Sequence, residues 1–146
     1  MRTIPTRFVF KIKTDQYGNV TKYKARLVAK GFVQQKGTDF TESYAPTSSA
    51  VAIRAAIAIA TAYDLEIEHL DVTQAFLNAE IDQLLHVEPP DGDEDGPSSR
   101  DFVYKLNYAL YGLIQAPMLW AKTPRECLLN LGFRPVGHEG SPYTLQ

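Results

Sequence analysis

His69-Leu70-Asp71-Val72-Thr73-Gln74-Ala75-Phe76 is the stretch on which the reading of this 146-residue chain turns. Just upstream, Leu65-Glu66-Ile67-Glu68-His69-Leu70 alternates apolar and polar residues, the period-two pattern of a half-buried strand. The pattern predicts a strand over 65–70 that delivers Asp71 at its end, then a short helical turn over 73–77. A carboxylate at a strand end, with an aromatic five positions on, suits one corner of a metal site for nucleotidyl transfer. One carboxylate does not hold two metal ions. Taken by itself, Asp71 reads more readily as a cap on the turn that follows.

Upstream lies a second patterned region. Phe8-Val9-Phe10-Lys11-Ile12-Lys13 alternates, Asp15-Gln16-Tyr17-Gly18-Asn19 supplies turn chemistry, and Val20 to Lys30 alternates again. This predicts a β-hairpin with Lys22, Lys24, Arg26, Val28 and Lys30 on one face and Tyr23, Ala25, Leu27 and Ala29 on the other. Residues 1–36 carry nine basic groups against Asp15 alone, a local charge of +8. The remaining residues carry six basic and sixteen acidic groups, a charge of −10, so the total of −2 conceals the asymmetry. A basic front end suits a polyanion, either nucleic acid or a triphosphate. Lysines also blunt exposed strand edges, and charge alone does not separate the two roles.

Ser48 or Ser49 is placed to cap a helix running to Tyr63, with Val51, Ala55, Ala58, Ile59 and Ala62 as its apolar stripe. Short strands are predicted at 84–87, 102–106 and from Tyr143. Residues 89–99, rich in Pro, Gly and acids, read as an exposed loop. A helix is predicted from Ala116 to about Leu131, with Pro117 in its first turn and Gly132 as its stop. Strands and helices mix without regular βαβ alternation, which gives the class α+β. The stretch Ala50–Tyr63 contains Arg54 and is too short to span a bilayer, so no membrane partner is expected. The N-terminus lacks the apolar core of a secretion signal. The single cysteine, Cys127, excludes an internal disulfide and a cysteine-based zinc site, and is expected to pack on the last helix. His69, His86 and His138 have no metal-ligand spacing.

Several segments together resemble the copia-type retrotransposon reverse transcriptase. They are Tyr23-Lys24-Ala25-Arg26-Leu27-Val28-Ala29-Lys30-Gly31-Phe32, Leu70-Asp71-Val72-Thr73-Gln74-Ala75-Phe76-Leu77, and Ala109-Leu110-Tyr111-Gly112-Leu113-Ile114-Gln115-Ala116-Pro117 with Trp120. Leu128-Leu129-Asn130-Leu131-Gly132-Phe133 fits the end of the helix that follows in that family. The resemblance runs from about Phe8 to Tyr143. It implies right-hand polymerase fingers (about 8–63 and 87–115) with a partial palm (about 64–86 and 116–146), in one domain over 1–146. The family's tyrosine-x-aspartate-aspartate hairpin, with the remaining metal ligands, is expected beyond Gln146. The implied activity is template-directed dNTP addition by two-metal phosphoryl transfer in the complete domain. Mg2+ is the implied cofactor, RNA/DNA template-primer and dNTP the implied partners, and the remainder of a polyprotein a further one. The implied location is a cytoplasmic particle or the nucleus.

Carried over residue by residue, the resemblance makes Asp71 the catalytic metal ligand, joined by the Val72 backbone carbonyl. Phe76 would pack under the sugar of the incoming nucleotide and exclude a ribose 2′-hydroxyl. Lys24 and Arg26 are the triphosphate candidates, and Lys11, Lys13 and Lys30 the nucleic-acid candidates, since hairpin register is not readable from sequence. Tyr111 and Gly112 would lie near the nascent base pair. Ile114 stands where the family carries Lys, Met118 where it carries a basic residue, Ala121 where it carries an aromatic and His86 where it carries Tyr. Pro124 falls inside the last predicted helix, where proline costs about 3 kcal/mol. These departures fit a decaying copy, expected to be inactive alone, and the alternative is a sequence cut short at a frameshift or intron, with Pro124 favouring decay. The competing readings are a non-catalytic nucleic-acid-binding module and an inert transposon remnant.

Overall fold

The computed structural model describes residues 2–91, 102–137 and 142–145. Its elements run β1 (Thr6–Thr14), β2 (Val20–Ala29), α1 (Ala50–Ala62), β3 (His86–Val87), β4 (Tyr104–Lys105), α2 (Ala116–Asn130), β5 (Phe133–Pro135) and β6 (Tyr143–Leu145). Short 3-10 turns cover Gly31–Val33 and Ala75–Asn78. The strands pair as three antiparallel two-stranded ladders, β1–β2, β3–β4 and β5–β6, so the described residues form an α+β mixture.

β1 and β2 form the long predicted hairpin. At its tip, the Asp15 carboxylate accepts from the backbone N–H groups of Tyr17 and Asn19, both at 2.9 Å, and from the Asn19 side-chain amide at 3.0 Å. These bonds hold the Asp15 carboxyl below its ordinary pKa, the Asn19 side chain contributing most. Gly18 completes the turn at φ +86°, a conformation that suits glycine.

The core lies below the base of this hairpin. It gathers Ile4, Ala29, Ala79, Leu85, Val87, Ala109, Leu110, Leu113, Ala116, Met118 and Leu119. Backbone bonds stitch the same region. Ala109 N–H donates to Ala79 at 2.8 Å, Leu106 N–H to Leu85 at 3.0 Å, and Ile4 N–H to His86 at 2.9 Å. The N-terminal half of α2 supplies three of the buried side chains, Ala116, Met118 and Leu119. Packing there carries the helix through Pro124, whose missing N–H removes one helical bond.

The structure corrects several expectations. Residues 65–70 form no strand, and Leu65, Ile67 and Leu70 are exposed. Alternation makes a strand only where a second strand takes up the backbone N–H and C=O groups; among the described residues none pairs with 65–70, and the Leu65 N–H instead donates to Ala60 O at 2.8 Å. α1 forms where predicted, with the Ser49 hydroxyl accepting from Ala52 N–H at 3.1 Å. Its proposed apolar stripe is not a buried face, because Val51 and Ile59 face solvent and only Ala60 is buried. Cys127 is exposed on α2 instead of packed against it. Pro89 and Pro90 are buried, so the predicted exposed loop begins later, and its remainder, like His138, lies outside the described residues. Among the described residues no helix is long and apolar enough to cross a membrane.

Candidate nucleic-acid interface

The hairpin register fixes which cations share a face. Lys11 pairs with Lys24, Lys13 with Lys22, Val9 with Arg26 and Arg7 with Val28. Residues directly opposite in an antiparallel pair project to the same side. Arg7, Lys11, Lys13, Lys22, Lys24 and Arg26 therefore form one basic face, and Phe8, Phe10, Ile12, Tyr23, Ala25 and Leu27 the other. Crowding has an electrostatic signature. The Lys24 ammonium is held below its ordinary pKa, chiefly by Arg26, then by partial desolvation and by Lys13, Lys22 and Lys11. Such a face is short of anions. β2 ends at Ala29, and one step further the Lys30 N–H donates to Pro5 O at 2.8 Å, in the register of the ladder.

At its base the basic face meets two aromatic rings. The Arg26 guanidinium carbon lies 5.8 Å from the centroid of the Tyr111 ring, within cation–π range. Tyr111 in turn packs on Phe76 at 4.9 Å between centroids, tilted by 53°. Phe76 reaches this position from the Ala75–Asn78 turn, which packs against α2. The Asn78 side-chain amide donates to the Thr73 and Gln74 carbonyls at 3.2 and 3.3 Å and ties that turn down. Phe76 also lines an apolar cavity of about 500 Å3 with Pro117, Trp120 and Leu128.

Backbone packing brings the rings under the hairpin. Ala29 N–H donates to Tyr111 O at 2.8 Å, joining the end of β2 to the turn before α2. Gly112 sits at φ +92°, and a Cβ there would lie 2.1 Å from Ala29 O. A Cβ on Gly31 would lie 1.9 Å from Gly112 O. Only glycine at both positions permits this approach. Three predicted nucleotide contacts, Arg26, Phe76 and Tyr111, thus converge, with Gly112 making the convergence sterically possible and Lys24 beside Arg26 on the same face.

The structure does not gather a metal site around the remaining candidates. Asp71 and Val72 stand exposed on the segment leading to the Phe76 turn. Asp71 does not cap that turn, whose preceding residue is Gln74 in the left-handed region at φ 54°. No group of three or more His, Cys, Asp or Glu side chains fit to hold a metal exists among the described residues. The residues described do not by themselves fit a two-magnesium centre. Sequence reasoning also missed the polar side chains behind the Tyr111 turn: Gln34, Asp39 and Gln115, all buried. Gln115 lay within a quoted motif, but nothing local links it to Gln34.

The sequence model of the family described as reverse transcriptase (RNA-dependent DNA polymerase) matches residues 1–144. The chain belongs to that family, in its copia-type branch. The chain is 43% identical over 119 residues to the retrovirus-related Pol polyprotein from transposon TNT 1-94 of Nicotiana tabacum, a match covering 82% of the chain and 9% of that protein. It is 37% identical over 142 residues to the corresponding polyproteins from transposons RE1 and RE2 of Arabidopsis thaliana, covering 96% of the chain and 10% of each. The chain therefore spans about a tenth of the length of the curated relatives it matches. No solved structure matches.

Proposed function

We propose that these 146 residues form the nucleotide- and template-binding part of a retrotransposon RNA-directed DNA polymerase. Template-directed dNTP addition would belong to the complete domain within a Pol polyprotein. The observation that carries this reading is the convergence of Arg26, Tyr111 and Phe76 at the base of the basic hairpin face. In this reading Lys24 and Arg26 take the triphosphate, Arg26 with a planar fork and Lys24 as a point charge. Phe76 lies under the deoxyribose, and Tyr111 and Gly112 face the nascent base pair. Lys11, Lys13 and Lys22 extend the cationic track toward the template. The fingers comprise about 8–63 and 87–115, and the palm portion about 64–86 and 116–146.

The same reading makes the chain a binder that does not turn over alone, because Asp71 is a single carboxylate on an exposed segment. Primer extension on a homopolymer template with magnesium tests this. No incorporation above background is expected from the purified chain, and incorporation abolished by Asp71→Asn would refute it. Binding is tested separately with a dye-labelled oligodeoxythymidylate. Lys24→Ala with Arg26→Ala is expected to weaken binding, whereas unchanged affinity would remove the interface.

A further inference from the structure

Behind the Tyr111 turn lies a chain of buried amides. The Gln34 side-chain oxygen accepts from the Ile114 backbone N–H at 2.8 Å, and its NH2 donates to the Gln115 side-chain oxygen at 3.0 Å. The Gln115 NH2 donates onward to the Asp39 backbone carbonyl at 3.1 Å. Gln115 is 0% exposed and Gln34 8%. Asp39 is itself anchored. Its carboxylate accepts from Gln35 N–H at 2.7 Å and pairs with Arg2 at 3.3 Å. The chain runs in one sense, each glutamine using its oxygen on one side and its NH2 on the other. A side chain lacking either function breaks it, and a buried polar group left without a partner is costly. The bonds join the loop after β2 to the turn before α2, the two segments whose glycines bring Arg26 over Tyr111.

We propose that Gln34 and Gln115 are a positioning pair. They touch no ligand, but they set the Tyr111–Gly112 turn and thereby hold the Tyr111 ring under Arg26 and against Phe76. The proposal rests on the reading of those three residues as the ligand platform, and its test separates the two. Gln34→Glu keeps the acceptor facing Ile114 N–H but turns an acceptor toward the Gln115 oxygen when ionised. Protonation restores a donor there. A buried carboxyl facing an acceptor titrates above the ordinary range, so the defect is reversible by acid.

The chain is labelled with 3-fluorotyrosine, and the Tyr111 resonance is assigned by Tyr111→Phe. In Gln34→Glu at pH 8 this resonance is expected to move, while that of Tyr17 at the hairpin tip stays. Oligodeoxythymidylate affinity is expected to fall about tenfold, the order of one hydrogen bond. Both return to wild-type values as pH falls through the introduced carboxyl's titration, each compared with wild type at the same pH. A folded variant with the wild-type Tyr111 resonance and affinity at pH 8 overturns the proposal. If the variant unfolds at pH 8 by circular dichroism, the double change Gln34→Met with Gln115→Met carries the test. It preserves volume and deletes the amide chain, and an unmoved Tyr111 resonance in it overturns the proposal equally. A Tyr111 resonance that moves in a chain binding no oligonucleotide supports the pair and refutes the platform.

Discussion

Salt dependence offers the most direct measure of the basic face. Arg7 to Lys13 spans six residue steps of β1, about 20 Å at a strand rise of ~3.4 Å. Across the ladder, Lys22, Lys24 and Arg26 double the row, giving six cations on one side. A nucleic-acid strand offers a phosphate about every 3.4 Å in a stacked helix, so ~20 Å presents about six phosphates to those cations. Each neutralised phosphate of a single strand contributes about −0.7 to the slope of log affinity against log salt. Full engagement then gives a slope of about −4, a loss of about 300-fold between 50 and 200 mM salt. Removing Lys24 and Arg26 leaves four cations, a slope of about −3 and a loss of about 50-fold over the same range. Fluorescence anisotropy of a labelled oligodeoxythymidylate at five or more salt concentrations measures both slopes. Equal slopes for the wild type and the double variant would refute the reasoning, even if absolute affinities differ, because the pair would then contact no phosphate.

Other consequences are as concrete. Gly112→Ala forces a Cβ to 2.1 Å from Ala29 O in a left-handed backbone; a loss of more than about 2 kcal/mol in denaturant melts is expected, since that conformation alone costs an L residue about 1–2 kcal/mol. Asp15 is depressed in the folded state, so its contribution to the hairpin turn is complete above the ordinary carboxylate pKa and disappears as pH falls through the lowered folded value. The Asn19 side-chain amide resonance is expected to follow that titration, and Asp15→Asn to abolish it. Hydrogen exchange is expected to protect the amides of Ala29, Ala109 and Leu119 far more than those of α1, which buries Ala60 alone; equal protection would contradict the placement of the core.

What the sequence revealed was local. The hairpin was legible because its alternation and its turn residues act over neighbouring positions, and Asp15, Gly18 and Asn19 build the tip within themselves. α1 was legible from Ser49, and α2 from Pro117 and Gly132, because caps and breakers act within one turn. The strand over 65–70 failed for the opposite reason. Its pattern describes what the segment could bury, and a strand forms only against a second chain segment. The stripe on α1 fails likewise, since a helical period marks a face but not what covers it. β5 was missed because Phe133-Arg134-Pro135 is too short to show a period, and its pairing with Tyr143–Leu145 is tertiary.

The candidate interface divides along the same line. Each of Arg26, Phe76 and Tyr111 sits in a recognisable motif, yet the motifs are tens of residues apart and their meeting depends on contacts that leave no periodic trace. Nothing in the sequence links Gly31 to Gly112, whereas in the structure they are the reason two backbones touch. Gln34 and Gln115 are separated by 81 positions and join through a single hydrogen bond between their side-chain amides. Long-range polar contacts of this kind are specific because they must be satisfied completely, and cryptic because one glutamine looks like another. The basic face is therefore written in the sequence as charge, but its aromatic floor is written only as packing. It follows that substitutions on the hairpin should change how strongly polyanions bind, while those behind Tyr111 should change whether the rings stand where a ligand meets them.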